Sequence, residues 1–210
     1  MKRIIITAFA PFGAYPVNST QRVLDILKSG EVFEIIPVVY EAIIPANNRG
    51  KELVDMALAH EASAILSLGM ASEKKGVCIE GCAVNVIDNP KYCPPPLQKT
   101  AIRADRAYGE NIRLDLDPWC IEHFSERCIV EGIPVEYSYD AGGFCCNHLA
   151  YQTRLALLES GMSLPFLFVH LPCCTEAVPN MGDFIRAGKV VRPPELMAKG
   201  IELLLNGARL

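Results

Sequence analysis

Short apolar, β-rich runs alternate with stretches of helical spacing along the whole chain, and this alternation is what most restricts its fold. Residues 4–8 are an apolar run broken by Ala10-Pro11-Phe12-Gly13, so they read as a buried strand entering a loop. Asn18-Ser19-Thr20-Gln21 offers helix N-caps, after which Val23, Leu24 and Leu27 recur at helical spacing up to Gly30. Residues 33–39 give a second strand, 47–60 a helix with Leu53, Met56, Ala57 and His60 on one stripe, and 63–68 a third strand ending at Gly69. Residues 77–86 read as one or two strands. The segment 89–99, with Pro90, Pro94, Pro95 and Pro96, is an irregular loop. A helix is expected from Asp117-Pro118 to about Glu131, a strand over 135–139, and a helix after Gly142-Gly143 marked by Leu149, Leu155 and Leu158. A strong strand at 165–171 and a terminal helix at 194–205 complete the series.

Strands and helices that alternate with short connections predict a three-layer α/β domain with a largely parallel sheet. No repeat, low-complexity tract or linker divides the 210 residues, so residues 1–210 are expected to form one domain. In such sheets, sites form where strands end and helices begin. The candidate loops are therefore 9–18, 69–76, 140–147 and 171–182.

A net charge of -4, with no Lys/Arg cluster longer than a pair, gives no reason to expect a nucleic-acid partner. The apolar run after Met1-Lys2-Arg3 ends within a few residues, and the stretch 164–171 is far too short to cross a bilayer. A soluble, cytoplasmic protein without a membrane partner is expected. Nine cysteines without a secretion signal, with adjacent pairs at Cys145-Cys146 and Cys173-Cys174, argue for reduced thiols.

Cys146 follows a Gly-Gly turn at the expected start of a helix, where the helix dipole favours a thiolate and free N–H groups could hold an oxyanion. The alternative is a buried structural cysteine. His170 interrupts an apolar run at a strand's C-terminal end, as a base for a thiol nucleophile would, or as a satisfied core histidine. His148 is its rival, but on a helix i and i+2 side chains point apart. Glu80 is a lone acid in the apolar run Val77-Cys78-Ile79-Glu80-Gly81-Cys82, costly to bury without a partner such as an imidazole. An outward-facing strand residue is the alternative. Cys78-x3-Cys82 and His170-x2-Cys173-Cys174 supply soft donors, but adjacent cysteine pairs fit zinc spacing poorly, and no metal is expected.

Taken in order, these segments resemble pyroglutamyl-peptidase I. Thr7-Ala8-Phe9-Ala10-Pro11-Phe12-Gly13 with Asn18-Ser19 resembles that family's T-G-F-x-P-F-G…N-x-S opening. Leu68-Gly69-Met70-Ala71 and Glu80-Gly81-Cys82-Ala83-Val84-Asn85 resemble its L-G-x-A…E-R-x-A-x-N block. Ala141-Gly142 to Cys146-Asn147 resembles the nucleophile motif, and Phe168-Val169-His170-Leu171-Pro172 the histidine motif. The resemblance implies an α/β/α sandwich and a cysteine peptidase that removes N-terminal pyroglutamyl residues from peptides. It puts the nucleophile on Cys146, the base on His170 and the orienting carboxylate on Glu80. It also implies that Phe9 and Phe12 clamp the lactam ring, with Asn18 and backbone near Cys145 serving its polar edge, and that Met70 lies in the substrate site. No cofactor is implied, and members are often homo-oligomers. The chain departs from the pattern at Ala8, Ala10, Met70 (often Gln), Gly81 (normally Arg) and Pro90 (a second Arg, here with Lys91 adjacent). These departures leave open a divergent member that binds pyroglutamyl ligands with little turnover.

Overall fold

A computed structural model describes residues 2–27 and 33–210, and the expected end of the first helix at Gly30 lies outside them. The strands are β1 (Lys2–Phe9), β2 (Phe33–Tyr40), β3 (Ala64–Met70), β4 (Val77–Glu80), β5 (Cys82–Val84), β6 (Asn111–Arg113), β7 (Val135–Ser138) and β8 (Phe166–Leu171). The helices are α1 (Ser19–Ile26), α2 (Arg49–Ala59), α3 (Ile121–Val130), α4 (Cys145–Glu159), α5 (Met181–Arg186) and α6 (Pro194–Gly207). Six strands form the central sheet in the order β2-β1-β3-β8-β4-β7.

The sheet has two apolar faces because the strands are apolar at successive residues, which point to opposite sides. Ile4, Ile6 and Ala8 share one face with Leu66, Leu68, Leu167, Val169, Val77 and Ile79, beneath apolar residues of α1, α3 and α6. Ile5, Phe9, Ile65, Phe166 and Phe168 point the other way, against Leu53 and Val54 of α2 and Leu149, Tyr151 and Leu155 of α4. The result is the expected α/β/α sandwich. The same period of two puts His170 with Phe166 and Phe168, and Glu80 with Cys78, on the side opposite Val169 and Ile79.

The sheet is parallel except where β4 meets β8. Only residues 71–76 join β3 to β4, too few for the crossover that a parallel return needs. β4 therefore comes back antiparallel beside β8, with Cys78 opposite His170 and Glu80 opposite Phe168. That reversal brings the acid and the imidazole into diagonal contact.

Residues 77–86 resolve into β4 and β5, and β5 pairs with β6 in a separate two-stranded sheet. Neither β6 nor α5 was signalled by sequence pattern; α5 is capped by the Asn180 side chain. The helix expected from Asp117 begins at Ile121, because a 3-10 turn at Asp117–Trp119 is followed by Cys120 with φ of 48°.

α2 and α4 touch backbone to backbone at Gly50. A Cβ there would lie 2.2 Å from the Gln152 carbonyl carbon. Gly50→Ala is therefore expected to lower stability by about 2 kcal/mol, read from denaturant unfolding; an unchanged midpoint would show that the helices are not in contact there.

Candidate active site

Cys146 is the second residue of α4. Phe144 occupies the N-cap position in extended conformation and makes no side-chain cap, so the first-turn N–H groups are not taken by one. Three features shape the approach to it. The Asp140 carboxylate accepts from Gly142 N–H at 2.9 Å, and Gly142 has a φ of 81°, which favours glycine. Gly143 accepts from Asp88 N–H at 2.9 Å and lies so close that a Cβ would meet Asp88 O at 2.4 Å. Asn147 is buried and ties the helix start to β5, accepting from Val84 N–H at 2.8 Å and donating to the Val84 and Val86 carbonyls at 2.8 and 3.0 Å.

His170 Nδ1 lies 2.7 Å from Oε1 of the fully buried Glu80. The carboxylate can only accept, so Nδ1 carries the proton between them and Nε2 faces away from Glu80. The imidazole packs edge-on to Phe168, centroids 5.1 Å apart. Gly69 makes room for both rings: a Cβ there would lie 2.8 Å from each. This is the steric reason for glycine after Leu68.

The electrostatics favour an ion pair. The Cys146 thiol is lowered to about 5. A hydrogen bond from Cys145 is the largest influence, burial opposes it, and the charge and hydrogen bond of His170 add to it. Burial pushes His170 down, but the Cys146 thiolate and the Glu80 carboxylate outweigh it and raise it to about 9. Burial raises the Glu80 carboxyl too, and His170, Ser138 and Lys74 more than compensate, leaving it lowered. Cys145 is buried and held well above the usual thiol range, first by burial. His148, the rival histidine, is pushed down to about 4 by burial and by the charge of Arg49, and it does not line the cavity in front of Cys146.

That cavity has a volume of about 480 Å³ and is lined by Phe9, Phe12, Asn18, Met70, Cys145, Cys146 and His170, so residues singled out from four distant segments meet in one place. Glu80 sits behind His170, outside the lining. Phe9 is buried, whereas Phe12 is partly exposed. The Asn18 oxygen caps α1 through Thr20 N–H at 3.1 Å and accepts from Thr20 Oγ at 2.8 Å, while Nδ2 donates to Ala10 O at 3.1 Å. Asn18 thus holds the loop between the two phenylalanines as well as lining the cavity. Met70 turns its sulfur to Ser19, which donates through N–H at 3.3 Å and Oγ at 3.2 Å.

Sequence reasoning missed Tyr92. It reaches in from the proline-rich loop, stacks on Phe144 with centroids 5.3 Å apart, and meets Phe12 edge-on at 5.4 Å. Gly13, at φ of 56°, lets that ring lie against the backbone; a Cβ would come within 2.8 Å of it. Lys74 and Lys189, which were not singled out, also line the cavity, as does Lys91 beside Pro90, while no residue of 171–182 does. Gly81 is explained by Tyr139, whose ring would lie 2.5 Å from a Cβ and fills the space a longer side chain would take. Among the described residues, no group of three or more His, Cys, Asp or Glu side chains is placed to hold a metal, and no helix is long and apolar enough to cross a membrane.

A sequence model of the family described as pyroglutamyl peptidase matches residues 2–184. The pyrrolidone-carboxylate peptidase of Fusobacterium nucleatum is 28% identical over 194 residues, covering 87% of this chain and 84% of that protein. The pyrrolidone-carboxylate peptidase of Coprothermobacter proteolyticus is 26% identical over 216 residues, covering 98% and 96%. Among solved structures, the pyrrolidone carboxyl peptidase from Thermococcus litoralis superposes with a TM-score of 0.80 at 24% identity, covering 99% of this chain and 93% of that one. The pyroglutamyl peptidase I from Bacillus amyloliquefaciens gives a TM-score of 0.80 at 20% identity, covering 100% and 95%. At these identities the structural likeness speaks to the fold.

Proposed function

The chain belongs to the pyroglutamyl peptidase family and is a cysteine-type hydrolase of that kind, and from that premise we propose that it removes N-terminal pyroglutamyl residues from peptides through Cys146, His170 and Glu80. The observation that carries this reading is the pairing at the cavity wall: Cys146 lines the cavity together with His170, whose imidazole the buried Glu80 carboxylate grips at 2.7 Å.

The chemistry follows from the residues in place. The Cys146 thiolate attacks the carbonyl that links pyroglutamate to the next residue. The N–H groups of the first turn of α4 point at the developing oxyanion. His170 gives its proton to the leaving amine, which departs and leaves a thioester on Cys146. The now neutral His170 takes a proton from water, the resulting hydroxide attacks the thioester, and pyroglutamate leaves as the thiolate returns. Glu80 holds the imidazole in the tautomer that presents Nε2 to the sulfur and stabilises its charged form.

The substrate fits the lining. A pyroglutamyl ring is flat and uncharged, with one polar amide edge, which suits walls built from Phe9, Phe12, Phe144 and Tyr92. An unblocked N-terminal ammonium would have to give up its hydration among the same aromatic rings, a cost that the uncharged lactam does not bear. A pyroglutamyl reporter amide should therefore release its amine, and the matching glutaminyl and prolyl amides should not. Tight binding of pyroglutamyl peptides with no burst of released amine would instead favour a ligand-binding protein that has lost turnover.

The pH dependence has a definite sign. Activity needs Cys146 deprotonated, which is lost as the pH falls through about 5, and His170 protonated, which is lost as it rises through about 9. The profile of kcat/KM is expected to be flat between those limits and to fall on both sides. A single acidic limb near the ordinary thiol range would rule out the ion pair.

A further inference from the structure

We infer that Lys74 is a positioning residue for this reaction, supplying a permanent cation to Glu80 so that the carboxylate stays ionised when His170 gives up its proton. The inference rests on the peptidase reading above and extends it to a residue outside the three catalytic groups.

Lys74 Nζ lies 3.4 Å from Glu80 Oε1, the same oxygen that faces His170 Nδ1. Cys78 directs its thiol at that oxygen too, at 3.8 Å. Among the described residues, the other carboxylate oxygen, Oε2, is buried with no hydrogen-bond partner. Among the described residues, the hydrogen-bond and ion-pair contacts of Glu80 are therefore concentrated on one atom, and two of the groups there, His170 and Lys74, carry positive charge. One of them, His170, is charged for only part of the cycle. After it protonates the leaving amine, a fully buried carboxylate would face a neutral imidazole, a state that favours the carboxylate taking a proton itself. A protonated Glu80 could no longer stabilise the imidazolium that forms when water attacks the thioester. Lys74 removes that difficulty, because its charge does not change during turnover. Burial works against the Lys74 ammonium, but the charges and hydrogen bonds of Glu80 and Cys78 together outweigh it and keep the lysine protonated.

The loop that carries Lys74 is fixed from several sides. Lys189 Nζ donates to Ser72 Oγ at 2.7 Å and pairs with Glu73 at 3.3 Å. Arg192 Nε donates to Lys75 O at 2.9 Å, and Glu136 accepts from Gly76 N–H at 2.9 Å. Gly76 packs so tightly on Pro134 that a Cβ would lie 2.0 Å from its carbonyl oxygen. A loop held this way places the ammonium in advance instead of leaving a long side chain to find Glu80 from solvent. Among the described residues, the ionisable and polar groups facing the Glu80–His170 pair are Cys146 from α4, Cys78 from β4, Cys82 from β5, Ser138 from β7 and Lys74 itself. Lys74 is the only one of these that is always cationic.

The test compares Lys74→Met and Lys74→Arg with the unaltered protein by two readouts. The first is the rate of Cys146 alkylation by iodoacetamide against pH, which needs no pyroglutamyl substrate and so stands even if the peptidase reading fails. The second is kcat and KM for a pyroglutamyl amide. Removing a cation makes it easier for both Cys146 and His170 to keep a proton, so Lys74→Met should move both limbs of the alkylation profile to higher pH, by about one unit for the nearer His170. It should also lower kcat about tenfold with KM nearly unchanged. Lys74→Arg should restore the limbs and most of kcat. Where Lys74→Met does not fold by circular dichroism, Lys74→Gln takes its place under the same expectation. Unmoved limbs in the folded variant, or a rise in KM with kcat intact, would overturn the inference and make Lys74 a substrate contact or a bystander.

Discussion

Cys146→Ala is expected to lower kcat/KM for a pyroglutamyl amide by at least ~10⁴-fold while leaving the melting temperature almost unchanged. The nucleophile has no substitute within reach: Cys145 is its neighbour, but burial holds that thiol protonated. The small stability effect follows from Cys146 being partly exposed at a cavity wall, so that little packing is lost. Cys146→Ser should be nearly as inactive, because a hydroxyl is far less acidic than a thiol and the neighbouring imidazolium cannot hold it ionised. Cys145→Ala separates the two cysteines. It should retain turnover and raise the acidic limb of the pH profile, since the largest influence lowering the Cys146 thiol is the hydrogen bond from Cys145. Activity within tenfold of the parent in Cys146→Ala would sink the assignment.

Glu80→Gln carries the second large effect, a loss of roughly 10³ to 10⁴ in kcat, by the logic of a carboxylate that fixes the tautomer of its histidine. A glutamine can offer Nδ1 either an oxygen or an amide N–H, and the second arrangement turns the imidazole's lone pair toward Glu80's place and away from the sulfur. The charge argument gives an independent sign. His170 is raised in part by Glu80, so without the carboxylate its alkaline limb should move below about 9. Lys74 would meanwhile face an amide, which adds a further cost because a mostly buried ammonium loses its counter-charge. Calorimetric and denaturant unfolding of the variant would separate that stability cost from the catalytic one. A variant with normal kcat and an unshifted alkaline limb would contradict the role given to Glu80.

The sequence made the strands and the helices of the two covering layers legible because both faces of the sheet are buried, which leaves near-continuous apolar runs such as that of β8. His170 and Glu80 stood out for the same reason, as ionisable residues within such runs. Their shared face could not be read, since it depends on β4 returning antiparallel beside a strand that begins only at Phe166 (Glu80↔Phe168 in register, with His170 two residues on), and pairing partners are set by tertiary packing. Tyr92 was illegible because an irregular proline-rich loop has no period; its place is fixed by Gly13 and by stacking on Phe144. Asn18 stood among the N-cap residues that the sequence offered and does cap α1 through Thr20 N–H, whereas nothing local in the sequence shows that the Met70 sulfur meets Ser19. Gly81 read as a lost arginine. In the fold it is a glycine under the Tyr139 ring, and the cation beside Glu80 comes from Lys74.

The most direct measurement is acid quenching of the protein during turnover of a pyroglutamyl ester or amide, followed by peptide mapping by mass spectrometry. The account predicts one pyroglutamyl group in hydroxylamine-sensitive thioester linkage on the peptide that contains Cys146, assigned to that residue by fragmentation and absent from Cys146→Ala. Turnover with the acyl group on Cys145, or with no acylated cysteine under conditions where deacylation limits the rate, would contradict it.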